Sequence, residues 1–136
     1  MKVLHASCVE YADKGVLIFG PSGSGKSDLA LRIIDAGGTL ISDDYVEINA
    51  QENKLFASSV PNIEGMIEVR GIGLEKVCFI SNHTIDLALE LHDRNDIDRL
   101  PEDSFFEHEG IKVPLFKFDA FSLSALAKIN LLVKRA

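Results

Sequence analysis

With 136 residues, 46% of them hydrophobic, the chain can bury one core and is too short for two. Its net charge of −7 argues against a broad nucleic-acid or anionic-membrane surface, though not against a local phosphate pocket. No apolar run approaches the roughly 18 residues of a membrane span, and Cys8 and Cys78 form no C-x-x-C pair, so neither a disulfide framework nor a zinc site is indicated and the expectation is one cytoplasmic domain.

Val3 to Val9 and Val16 to Phe19 read as strands joined by a turn at Ala12-Asp13-Lys14-Gly15. They feed Gly20-Pro21-Ser22-Gly23-Ser24-Gly25-Lys26-Ser27, which fits the phosphate-binding pattern G-x-x-x-x-G-K-[ST]. Glycines let successive N–H groups point into one anion-shaped concavity. Lys26 would reach the β- and γ-phosphates of a nucleoside triphosphate, and the Ser27 hydroxyl would complete the shell of a bridging Mg2+. Leu29, Ala30, Ile33 and Ile34, spaced by three and four, predict a helix from Ser27 to Ala36 that Gly37-Gly38 ends. Strand, loop and helix follow in the order such a loop requires.

Thr39 to Ser42 should be a strand delivering Asp43-Asp44 to its end, and Tyr45 to Asn49 with Leu55 to Ser58 suggest a hairpin and hence a mixed sheet. Pro61 can open a helical turn reaching Gly65, and Met66 to Leu74 is apolar with one acid, one base and two glycines inserted. Ile85 to Leu91 alternates like a half-exposed strand, and the charged His92 to Asp103 stretch reads as a loop. Phe105 to His108 and Ile111 to Phe118 suggest a late hairpin, with Pro114 pointing to an edge. From Ser122 a last helix is predicted, with Leu123, Leu126, Ala127 and Leu131 facing the core or another subunit.

Two segments beyond the loop invite chemistry. Of Asp43 and Asp44, one carboxylate could hold Mg2+ through water while the other accepts a proton from an attacking hydroxyl, although a solvated turn or a helix cap also explains such a pair. Glu68-Val69-Arg70-Gly71-Ile72-Gly73 fits close backbone approach to a ligand, and equally a surface ion pair with a β-bulge. His83, His92 and His108 show no ligand spacing.

His5, Gly20 to Ser27, Ser42-Asp43-Asp44-Tyr45-Val46, Glu68 to Gly73 and Asp98-Arg99-Leu100, in this order, resemble the C-terminal catalytic domain of bacterial HPr kinase/phosphorylase. The resemblance implies an α/β fold, a P-loop kinase core with a mixed sheet. It also implies Mg-ATP-dependent phosphorylation of a serine in HPr, the phosphocarrier of the sugar phosphotransferase system, or in an HPr-like protein. Carried across, it makes Asp44 the proton acceptor, Lys26 the phosphate-binding lysine, and Ser27 with Glu68 the Mg2+ ligands. His5 and Arg99 match further active-site positions.

This chain departs from the family in three places. His5 stands almost at the start, so the expectation for residues 1–136 is a minimal kinase core without the family's N-terminal domain. Ala6 replaces the usual glycine. After Val113-Pro114 the family carries a basic, glycine-containing loop used in dephosphorylation, whereas Leu115-Phe116-Lys117-Phe118-Asp119-Ala120 has one lysine and no glycine, which argues against the reverse reaction. Family members are hexameric, which leaves a homo-oligomer open here. A small-molecule kinase and an ATP-binding module without catalysis are the competing readings; the first would need an arginine-rich pocket or lid, and Asp44, Glu68 and Arg99 together argue against the second.

Overall fold

Apolar side chains alternate across both faces of the strand that precedes the glycine-rich loop, so it must be covered on both sides. Val16 and Ile18 enter one core cluster, and Leu17 enters another. The computed structural model, which describes residues 1–136, meets this demand with three layers. In chain order the elements are β1 (Lys2–Leu4), β2 (Ala6–Tyr11), β3 (Lys14–Phe19), α1 (Lys26–Asp35), β4 (Thr39–Ser42), β5 (Val46–Gln51), β6 (Lys54–Ser59), β7 (Met66–Val69), β8 (Gly73–Lys76), β9 (His83–Thr84), β10 (Leu87–Leu91), β11 (Phe105–His108), β12 (Ile111–Phe118) and α2 (Ala125–Arg135).

The middle layer is a six-stranded mixed sheet in the order β11-β12-β10-β3-β2-β4. Its Val9, Val16, Ile18, Leu87 and Leu89 pack with Leu29 and Ile33 of α1 and Ile129 and Val133 of α2. On its other face, Ala6, Cys8, Leu17 and Ile41 meet Val46, Ile48, Leu55 and Ala57 of a four-stranded sheet ordered β1-β5-β6-β9. The β7–β8 hairpin stands apart from both sheets, with Ile67 buried in the helix-side cluster. Gly15 has no room for a side chain, since a Cβ there would lie 1.7 Å from the carbonyl oxygen of Thr84.

Several expectations change. The single strand predicted from Val3 to Val9 is broken at His5: β1 pairs with β5 in the outer sheet, while β2 pairs with β3 and β4 in the middle one. The chain crosses between layers there. The half-exposed strand predicted over 85–91 is central, paired in parallel with β3 and β12, and Leu87, Ala88 and Leu89 are buried. Its apparent alternation comes from Asp86, whose carboxylate accepts the Gly15 N–H at 2.8 Å, and Glu90, whose carboxylate pairs with His92 Nε2 at 2.6 Å. Pro114 does not mark a sheet edge. It sits where β12 leaves its antiparallel pairing with β11 and, from Leu115, joins β10 in parallel, a point where a missing N–H is tolerated.

Residues 61–65 form turns without a helix, and Met66 to Leu74 folds into the β7–β8 hairpin. The last helix starts at Ala125 and buries Ala125, Ile129 and Val133, leaving Leu123 and Leu131 exposed. Apolar residues occur on most sides of this helix, so spacing alone did not select the buried stripe.

Cys8 lies between the two sheets, and burial, aided by the charge of Asp86, pushes its thiol far above the ordinary range, whereas Cys78 is exposed. Alkylation of the native protein with iodoacetamide should therefore modify Cys78 alone, with Cys8 reacting only after denaturation. Peptide mapping reads this directly, and an adduct on Cys8 in the folded protein would contradict the packing.

Candidate active site

Strands β3, β10 and β12 run parallel, and β4 is antiparallel to β2, which is itself antiparallel to β3. The carboxyl ends of all four strands therefore meet at one edge of the middle sheet, where open α/β sheets form their ligand crevices. A cavity of about 430 Å³ opens there, with Gly25, Lys26, Ser27, Asp43, Asp44 and Glu68 in its lining.

The glycine-rich loop connects β3 to α1. Gly25 occupies the N-cap position with φ +100°, and no side chain caps the first turn, so the helix presents unsatisfied N–H groups to an anion. The buried Ser24 Oγ has no hydrogen-bond partner in the protein. Lys26 is buried and folds back on the loop, its Nζ donating to the carbonyls of Gly20 at 2.6 Å and Pro21 at 3.2 Å.

The two adjacent aspartates have different surroundings. Asp43 is buried and accepts from the Ser7 hydroxyl at 2.9 Å, from the Ser27 hydroxyl at 2.8 and 3.0 Å, and from the Glu68 backbone N–H at 3.3 Å. Asp44 takes a left-handed conformation, φ +66°, which aspartate tolerates better than most residues. Its N–H donates to Ser7 Oγ at 3.1 Å, and its exposed carboxylate holds His5 Nε2 at 2.9 Å through Oδ1. Oδ2 has no protein partner. The His5 ring stacks on Tyr45, with centroids 5.1 Å apart.

Glu68 on β7 and Arg70 in the following turn both line the cavity and form no ion pair with each other. Gly71 and Gly73 have positive φ in the turn of the β7–β8 hairpin, with open space where a Cβ would stand. Arg99 lies in the exposed segment between β10 and β11, makes no hydrogen bond or ion pair, and is outside the cavity lining. The structure thus brings together His5, Gly25, Lys26, Ser27, Asp43, Asp44 and Glu68, and does not bring Arg99 to them.

Sequence reasoning missed Ser7 and Phe121. Ser7 left a signal, a polar residue inside the apolar run of β2. Phe121, which lines the cavity beyond β12, left none.

The available donors, a serine hydroxyl and carboxylates, are all oxygen and suit a hard divalent cation. No group of three acidic, histidine or cysteine side chains could hold a metal unaided.

A strand–glycine-rich loop–helix unit beside a strand ending in paired carboxylates defines an α/β domain with an anion-binding crevice at the carboxyl edge of its sheet. The model of the HPr serine kinase C-terminal domain matches residues 1–129. The chain belongs to this family. It is 36% identical over 122 residues to the HPr kinase/phosphorylase of Caldicellulosiruptor bescii, covering 81% of this chain and 39% of that protein. The HPr kinase/phosphorylase of Thermoanaerobacter sp. is 37% identical over 123 residues, covering 82% and 40% respectively. The chain therefore spans about two-fifths of the length of these relatives. The structure of the Hpr(Ser) kinase/phosphatase from Coxiella burnetii superposes with a TM-score of 0.87 at 27% identity, covering 99% of this chain and 97% of that one. No helix is long and apolar enough to cross a membrane.

Ser7 holds Asp43 and the Asp44 N–H at once, so Ser7→Ala removes a donor from a buried carboxylate and an acceptor from a backbone amide. A loss of about 1–3 kcal/mol in urea denaturation is expected. An unchanged midpoint and slope would show that this bond carries no stability.

Proposed function

We propose that this domain transfers the γ-phosphoryl group of Mg-ATP to a serine hydroxyl of HPr or an HPr-like phosphocarrier protein. The observation that carries the reading is the Asp44 carboxylate, held by His5 through one oxygen and free at the other, at the lip of the cavity that contains Lys26 and Ser27. The names of the relatives direct it to HPr.

In this reading the loop from Gly20 to Ser27 and the first turn of α1 cradle the phosphates, and Lys26 exchanges its loop carbonyls for phosphate oxygens. Ser27 and Glu68, with Asp43 through the Ser27 hydroxyl or water, are the residues that would hold Mg2+. When bound, Mg2+ would supply charge neutralisation to the phosphates. The substrate serine approaches over Asp44. As its oxygen bonds to the γ-phosphorus, the bond from that phosphorus to the β–γ bridging oxygen breaks. ADP leaves, and the serine proton passes to the free oxygen of Asp44. The exposed Asp44 then releases that proton to solvent, and His5 keeps the carboxylate in place throughout. The resemblance adds Arg99 as a further cation acting on the transferring group.

Asp44→Asn is the informative variant, because asparagine also accepts the left-handed backbone and keeps the shape while removing the base. Incubation with Mg-ATP and HPr should label an HPr serine, mapped by mass spectrometry, and Asp44→Asn should lower the rate by about 100-fold or more while ATP still binds. Arg99→Ala should lower the rate with nucleotide affinity kept. Label on a metabolite in place of HPr would favour a small-molecule kinase, and tight ATP binding with no transfer would favour a binding module.

Inorganic phosphate added to serine-phosphorylated HPr should release little or no HPr. In place of the family's basic loop, the segment after Val113-Pro114 continues as β12 to Phe118. Release at a rate comparable to the forward reaction would refute this.

A further inference from the structure

The strand order gives the cavity two flanks. With β3 and its loop between them, β4 delivers Asp43 and Asp44 on one side, and β12 delivers Asp119, Ala120 and Phe121 on the other. The carboxylate flank is used by the proposed transfer. The opposite flank has no role in it.

That flank carries an aromatic ring on a built support. Phe121 is 70% exposed yet lines the cavity, alongside Asp28 and Leu31 of α1. Its ring lies against Gly25, where a Cβ would stand 3.0 Å from Cζ, tighter than ordinary contact. The turn beneath is held at several points. Asp119 Oδ1 accepts the Phe121 N–H at 3.0 Å, the Ala120 side chain is buried in the core, and the Arg32 guanidinium of α1 donates to the Ala120 carbonyl. Arg32 is itself oriented by Asp28 at 3.1 Å.

We propose that Phe121 is the stacking platform for the base of the nucleotide. The inference rests on the ATP reading above. A triphosphate whose γ end faces Asp44 and whose β-phosphate sits over Gly25 and Lys26 continues along the first turn of α1 past Asp28. Its nucleoside then leaves on the flank away from Asp44. There it meets an exposed π-face in a cavity whose lining also includes Asp28 and Leu31. The base is thus held by its face, through dispersion and π-stacking in a partly desolvated site.

The chain contains no tryptophan, so Phe121→Trp introduces a single indole at the platform. Calorimetric titration of wild type, Phe121→Ala and Phe121→Trp with Mg-ATP and with Mg-tripolyphosphate, which has no base, tests the assignment. Phe121→Ala should weaken ATP binding about tenfold and leave tripolyphosphate affinity within about twofold. Phe121→Trp should restore ATP affinity, and its emission should change on adding ATP but not tripolyphosphate. Equal ATP affinity in wild type and Phe121→Ala, or parallel loss of both ligands in that variant, overturns the inference while nucleotide binding stands. Wild-type protein that binds neither ligand brings down the ATP reading and this inference with it.

Discussion

A buried carboxylate without a cationic partner organises this site. Asp43 is removed from water, and an isolated charge there is tolerated only if its oxygens are satisfied. Three donors do so, and each comes from a different element: Ser7 from β2, Ser27 from α1, and the Glu68 amide from β7. These bonds fix the first turn of the helix after the glycine-rich loop relative to the end of β4, and draw in the β7–β8 hairpin, which neither large sheet includes. Side chains that are far apart in sequence are placed around one cavity because one carboxylate needs all of them.

The neighbouring aspartate shows what a single backbone torsion accomplishes. In an extended strand, successive side chains point to opposite faces. The left-handed turn at Asp44, stabilised by its N–H bond to the same Ser7 that serves Asp43, carries its carboxylate out to the cavity lip. His5 reaches it from the corner where the chain passes between the two sheets. Identical residues thus acquire different capacities: one a fixed acceptor inside the protein, the other a solvent-facing group with a free oxygen.

The loop and its flanking elements were legible in the sequence because their signals are local. A tight turn needs glycine, an amphipathic helix repeats at three and four residues, and a buried strand is continuously apolar; Gly20 to Ser27, α1 and β3 satisfy these rules. The grouping of His5, Asp44 and Glu68 came from resemblance to a family, since no periodicity links residues so far apart. What stayed hidden depended on tertiary placement. The central position of β10 was obscured by Glu90, and the buried stripe of α2 by apolar residues on most of its faces. Phe121 has no spacing signature, because its relation to Gly25 exists only once β12 lies two strands from β3.

The segment after β10's neighbour β12 ties the end of the sheet to the cavity edge. From Leu115 to Ala120 there is one lysine and no glycine, so the backbone there lacks both the charge and the freedom of a basic loop. It instead pairs along β10 as far as Phe118 and commits Ala120 to the core. A strand that ends this close to the glycine-rich loop must turn at the cavity edge, and the residue set there by Arg32 and Asp119 is aromatic. A ring cannot attract inorganic phosphate as a cation would, but it can retain the face of a base. This segment therefore places an apolar ring at the cavity edge where a basic loop would place positive charge.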